Sequence, residues 1–137
     1  MSFVLHPRLE AGSHAIGELG DCCLLLKDNA IFPWFLLVPM VDGEVEDLHQ
    51  LDIEHYAKVM SSIRLVSEFV DEYFKPEKLN VGCIGNQVRQ MHIHIVGRAS
   101  DDPAWPGTVW AYGEKRPYQP LESAKVVEAA KKWLAID

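Results

Sequence analysis

Strand-like apolar patterning marks the first third of the chain. Residues 13–19 and 22–28 read as strands joined by Gly20-Asp21, a hairpin signal, and a third strand is predicted over 34–38. From Asp52 the spacing turns helical. Asp52 is the predicted N-cap, with Ile53, Tyr56, Ala57, Met60, Ile63, Val70 and Tyr73 near helical spacing and an end before Pro76. Leu79 to Ile84 reads as another strand, Gly85-Asn86-Gln87 as a turn, and the alternating run that follows it, up to Gly97, as a further strand. A last helix over 123–134 carries Val126, Ala130, Trp133 and Leu134 on one face. The pattern predicts an α+β fold.

With 137 residues of which 48% are hydrophobic, the chain fits a single domain spanning 1–137 with a substantial core. The longest apolar run, Ala30 to Val41, contains Pro33 and Pro39 and is too short to span a membrane. A net charge of −7 argues against a nonspecific grip on polynucleotides, which needs clustered Lys and Arg. Three cysteines, two of them adjacent, make no disulfide framework, and the start Met1 to Arg8 lacks a charged region followed by an apolar one. These features predict a cytoplasmic protein. Pro103 to Pro120, rich in Pro, Gly and aromatic residues, is expected to cap the core or fill an interface, with the border of a base pocket as the functional alternative.

The richest chemistry lies in the alternation Gln90, His92, His94. On a strand these three side chains share one face, with Met91, Ile93 and Ile95 on the other. Such a pair of imidazoles fits three uses: a solvated polar face, a metal site, or catalysis. The cysteines form no C-x2-C pair to complete a closed metal site, so no metal is expected. The turn Gly85-Asn86-Gln87 shifts the balance toward an anion, because turns present converging N–H donors to phosphate while a neutral imidazole serves as nucleophile or base.

Gln90-Met91-His92-Ile93-His94-Ile95-Val96 resembles the signature of the histidine triad (HIT) nucleotide hydrolases and transferases, His-x-His-x-His followed by two apolar residues, with glutamine in first place. Asn80-Val81-Gly82 with Gly85-Asn86-Gln87-Val88 resembles that family's Asn-x-Gly and Gly-Gln-Ser-Val stretch, one residue shorter. Asp28 to Pro39 resembles its nucleoside-binding strand pair, and the Asp102 to Trp110 tail resembles a bacterial branch. The likeness spans roughly 15–100. It implies a HIT-like fold with an antiparallel sheet of about five strands, a long helix and a C-terminal helix. It implies attack by His92 on the α-phosphorus of a small nucleotide, a purine nucleoside monophosphate derivative, through a phosphohistidine, with His94 supporting the phosphate site. Asp28 or Asn29 is the implied ribose ligand; Trp34, Asn80, Asn86 and Gln87 are further implied substrate contacts, Gln87 at a position where relatives use serine. No cofactor is implied, and a homodimer is.

Two departures bear on the chemistry. Glutamine at 90 cannot exchange a proton near neutral pH but keeps the main-chain carbonyl that orients the central ring, and Trp34 stands where many members carry another histidine. An amine leaving group, which must be protonated, is therefore harder for this chain than an anhydride. The competing reading is a noncatalytic nucleotide sensor.

Overall fold

A computed structural model describes residues 3–137; Met1 and Ser2, which open both the expected domain and the N-terminal stretch, lie outside the described residues. Five strands form one antiparallel sheet: β1 (Ser13–Leu19), β2 (Cys22–Lys27), β3 (Trp34–Pro39), β4 (Lys78–Cys83) and β5 (Ile93–Arg98), in the order β1-β2-β3-β5-β4. The first three form a meander through the Gly20-Asp21 hairpin, and β5 then inserts between β3 and β4. Both neighbours of the histidine strand are thereby fixed by backbone pairing.

Among the described residues three α-helices accompany the sheet: α1 (Pro7–Ala11), α2 (Ile53–Phe74) and α3 (Pro120–Leu134). The carboxylate of Asp52 caps α2 by accepting from His55 N, and Lys75 closes it at a φ of 52°, one residue before Pro76. α3 begins three residues earlier than the spacing predicted, because Gln119 and Glu122 form a capping box around Pro120 at the first turn. α1 escaped the sequence reading. A single turn offers no periodicity, and its cap is an imidazole, His6 Nδ1 accepting from Arg8 N.

The buried stripe of α2 is Val59, Ser62, Val66, Phe69 and Val70; of the predicted apolar positions Val70 is in it and Met60 and Ile63 pack against its edge, while the others are exposed. Ile53, Tyr56 and Tyr73 are 85%, 40% and 40% exposed, and Ala57 is exposed as well. Apolar residues lie on both sides of this helix, and the covered side is chosen by docking against β3 and β5 beside Phe35 and Ile95. That layer, closed by Val126 and Ala130 of α3, is the larger core. A second cluster on the other sheet face joins Leu9, Leu25, Phe32, Trp34, Leu36, Val38, Val96 and Val109.

The histidine run is strand only from Ile93. Val88 to His92 was expected in the strand but has no strand partner, since the pairing of β4 with β5 ends at Cys83 opposite Ile93. Alternation survives beyond the ladder: Met91, Ile93 and Ile95 enter the helix-side core while His92 and His94 face the other way.

Candidate active site

The site face is built by parity. Leu25 and Lys27 of β2, Trp34 and Leu36 of β3, and His94 and Val96 of β5 share one side of the sheet, because side chains alternate along a strand. Register places Trp34 opposite Val96 and Leu36 opposite His94, so Trp34 and His94 are diagonal neighbours. Above them opens a cavity of about 520 Å³, walled by α1 through Arg8 and Leu9, by the 84–88 turn, and by the segment 109–115. Gly85 makes that turn with a φ of 66°, a conformation that side-chain-bearing residues rarely adopt.

Two hydrogen bonds set the imidazoles. His92 Nδ1–H donates to the main-chain carbonyl of Gln90 at 2.7 Å, so the basic lone pair resides on Nε2. Trp34 Nε1–H donates to His94 Nδ1 at 3.0 Å. An indole N–H only donates, which makes Nδ1 the acceptor and puts the proton of neutral His94 on Nε2. The ring centroids lie 4.8 Å apart, one ring offering a lone pair and the other an N–H. Both rings are buried, at 7% and 6% exposure. Burial lowers the His92 pKa below the ordinary histidine value, opposed in part by the Gln90 carbonyl and reinforced by Lys27 and His6. His94 is pushed down to about 3, by burial first, then by His92 and Lys27. Two neutral imidazoles result at physiological pH.

The turn supplies donors. Among the described residues the backbone N–H groups of Asn86, Gln87 and Val88 meet no protein acceptor, and all three residues line the cavity. Neutral nucleophile, imidazole donor and free amides together fit a phosphoryl group changing its bonds.

The other predicted site residues divide. Asn86, Gln87, Trp34 and Asn29 line the cavity; Asn29 is 4% exposed, and its Oδ1 accepts from Ile31 N and Arg116 N. Gln87 Oε1 also accepts from Arg8 at 3.4 Å. Asp28 is turned elsewhere, its Oδ1 engaged by His14 Nε2 at 3.0 Å and by Tyr118 N at 2.9 Å. Asn80 is likewise committed to the fold. Its Oδ1 accepts from Arg98, whose guanidinium is 2% exposed and is forked onto Asp102 at 2.7 and 3.0 Å, with Gly107 O as a further acceptor. This buried hub pins the 102–107 loop to β4 and β5. The Gln90 side chain points to the N-terminal segment: Oε1 accepts from His6 N at 2.8 Å and Nε2 donates to Val4 O at 2.9 Å. The first triad position has become a clip that holds α1 against the site.

Four lining residues of note were absent from the predicted set. Trp110 meets His94 edge-on at 5.4 Å and Trp34 at 6.4 Å, and Tyr112 packs on Phe32 at 5.8 Å. These aromatics of the 103–120 segment cap the second core, as expected, and also line the cavity. Gly82 is the space for Trp110; a Cβ there would stand 3.3 Å from its ring. Arg8 and Lys27 bring cations, and Lys27 was legible as the charged residue at the site-facing position of an otherwise apolar strand. Among the described residues no group of three or more His, Cys, Asp or Glu side chains is arranged to hold a metal ion. The three cysteines are free thiols, and burial raises the pKa of each.

Residues 8–101 match the sequence pattern of the HIT domain. No curated protein matches the chain. A histidine triad protein from Bradyrhizobium japonicum superposes with a TM-score of 0.94 at 32% identity, over 98% of this chain and 99% of that one. A histidine triad protein from Marinobacter aquaeolei VT8 gives a TM-score of 0.93 at 36% identity, covering 97% and 96%. One from Sinorhizobium meliloti 1021 gives 0.92 at 32% identity, with 96% of each chain covered. The sheet order, the paired imidazoles and these likenesses converge on one conclusion: the chain belongs to the HIT domain family.

Proposed function

We propose that the cavity binds a small nucleotide and that His92 attacks its α-phosphorus. The observation that carries this reading is the 2.7 Å bond from His92 Nδ1–H to Gln90 O, which leaves Nε2 basic and stabilises the positive charge that grows on the ring as the bond to phosphorus forms. The Nε2 lone pair forms the N–P bond as the P–O bond to the leaving group breaks, and that bond's electrons depart with the leaving group. Water then forms a new P–O bond as the N–P bond breaks, the electron pair of that bond returns to His92 Nε2, and the proton of the attacking water is lost to solvent. His94 Nε2–H and the amides of Asn86 to Val88 serve the phosphoryl oxygens, and Asn29, rather than Asp28, is the ribose contact.

Neither the Gln90 amide nor the Trp34 indole is acidic enough near neutral pH to protonate a leaving group, and both are engaged within the fold, one with the N-terminal segment and the other with His94. Substrates that depart as anions are therefore cleaved in preference to those that depart as amines. The chain acts as a single domain, in the cytoplasm and without a cofactor, as one of a branch with glutamine in the first triad position. It pairs with a second copy through the exposed Ile53, Tyr56 and Leu65 of α2 and Val81 on the open edge strand β4, all of which expose apolar surface.

AMP release from adenosine nucleotides with graded leaving groups tests the chemistry beside His92→Ala. Loss of at least about 10³-fold in turnover in the variant, with retained AMP binding, is the expected result. AMP binding without turnover in the unaltered protein would promote the sensor reading.

A further inference from the structure

Lys27 is an odd residue to find in this wall. It follows Leu24, Leu25 and Leu26 in the strand, it is partly buried, and among the described residues its ammonium has neither a salt bridge nor a hydrogen bond. Its Nζ lies 5.1 Å from the centre of the Trp34 ring, a cation–π seat that fixes its place in the cavity. The segment 112–115 brings the exposed Lys115 to the lining of the same cavity, without a salt bridge of its own among the described residues. Burial, and then the charge of Lys115, pull the Lys27 pKa below its ordinary range. A partly buried ammonium without an ion pair is stabilised when an anion enters beside it. Glu114, the single carboxylate on the lining among the described residues, accepts from Tyr112 OH at 2.9 Å. In a chain with a net charge of −7, a cavity lined by Arg8, Lys27 and Lys115 against one carboxylate is a local reversal of sign.

We infer that Lys27 and Lys115 form an anion subsite in the His92 cavity, which takes a second anionic group of the ligand beyond the phosphoryl group facing His92. Two ammonium point charges suit the dispersed oxygens of a phosphate. The inference deepens the nucleotide reading and rests on the cavity being the ligand site.

Calorimetric titration at fixed salt with AMP, ADP, adenosine 3′,5′-bisphosphate, adenylosuccinate and inorganic pyrophosphate tests it, on the full chain and on Lys27→Met/Lys115→Met. A ligand with a second phosphate is expected to bind about tenfold more tightly than AMP, and the double variant to shrink that advantage to about twofold, with Lys27→Arg restoring most of it. A lysine-dependent advantage confined to adenylosuccinate would make the subsite one for carboxylate and overturn the phosphate assignment. Lysine-dependent binding of pyrophosphate without binding of any nucleotide would uphold the subsite and sink the nucleotide reading. His92-dependent turnover with an advantage untouched by the lysine changes would sink the subsite alone. Loss of AMP and bisphosphate affinity in equal proportion, or no lysine-dependent binding of any probe, would also overturn it.

Discussion

Both faces of this sheet bury side chains, and the two are differently specified. On the helix face Phe35, Ile93 and Ile95 meet Val66, Phe69 and Val70, all fully or nearly fully buried, and a side chain there is fixed by volume. On the opposite face His92 and His94 are almost as buried, yet what is fixed is which nitrogen carries a proton. Adjacent residues of one strand therefore answer to different physics. Packing tolerates a neighbour of similar size, whereas a tautomer held by a single donor does not tolerate the loss of that donor.

The sharpest way to break the contrast is Phe69→Ala. It removes a ring in contact with Phe35, Tyr73, Phe74 and Trp133, and is expected to cost about 3–5 kcal/mol in chemical denaturation while ligand affinity per folded molecule stays unchanged. A large change in affinity would show that the two faces are mechanically coupled.

Acid pH strikes the other face. An unfolded His94 takes up a proton near the ordinary histidine pKa of about 6.5, whereas the folded ring resists until about 3, so the unfolded state binds more protons throughout that window. Stability is expected to be independent of His94 above pH 7 and to fall below about pH 6.5, approaching 1.4 kcal/mol per pH unit from this ring. Urea melts from pH 7.5 to 4.5 measure the slope, and His94→Asn is expected to flatten it. An unaltered slope in that variant would place the acid sensitivity elsewhere.

Trp34→Phe keeps most of the packing and deletes the one N–H that faces His94. A stability loss of about 1–2 kcal/mol is expected, with a larger proportional fall in turnover than in AMP affinity, because His94 then has no fixed tautomer. Equal falls in both would reduce Trp34 to a packing residue. The smallest effect belongs to Gln90→Ala, which cuts both bonds to the N-terminal segment but spares the carbonyl that holds His92. About 1 kcal/mol is expected, together with faster amide exchange over residues 4–10 and retained turnover.

Much of this was readable in the chain. The hairpin at Gly20-Asp21, the cap at Asp52, the stop before Pro76 and the inward set Met91, Ile93 and Ile95 are local features, decided by turn chemistry, capping and a period of two. The covered side of α2 was not readable, since both sides carry apolar residues and only the docked sheet selects Val59, Ser62 and Val66 over Ile53 and Tyr56. The same holds for which of Asp28 and Asn29 lies on the cavity. They are adjacent in sequence, and one is drawn to His14 and Tyr118 while the other stays on the cavity.

Local order along the chain was thus enough to place two imidazoles on one face beside a glycine turn and to make the family recognisable. What surrounds those imidazoles was decided by contacts between distant segments: Trp34 against His94 across 60 residues, Gln90 against His6 across 84, and Lys27 and Lys115 brought to the lining of one cavity. A sequence pattern records what each residue can offer, but a tautomer, a clip or a charged wall exists only once a second residue stands within hydrogen-bond or Coulomb range, and strand pairing and helix docking bring it there.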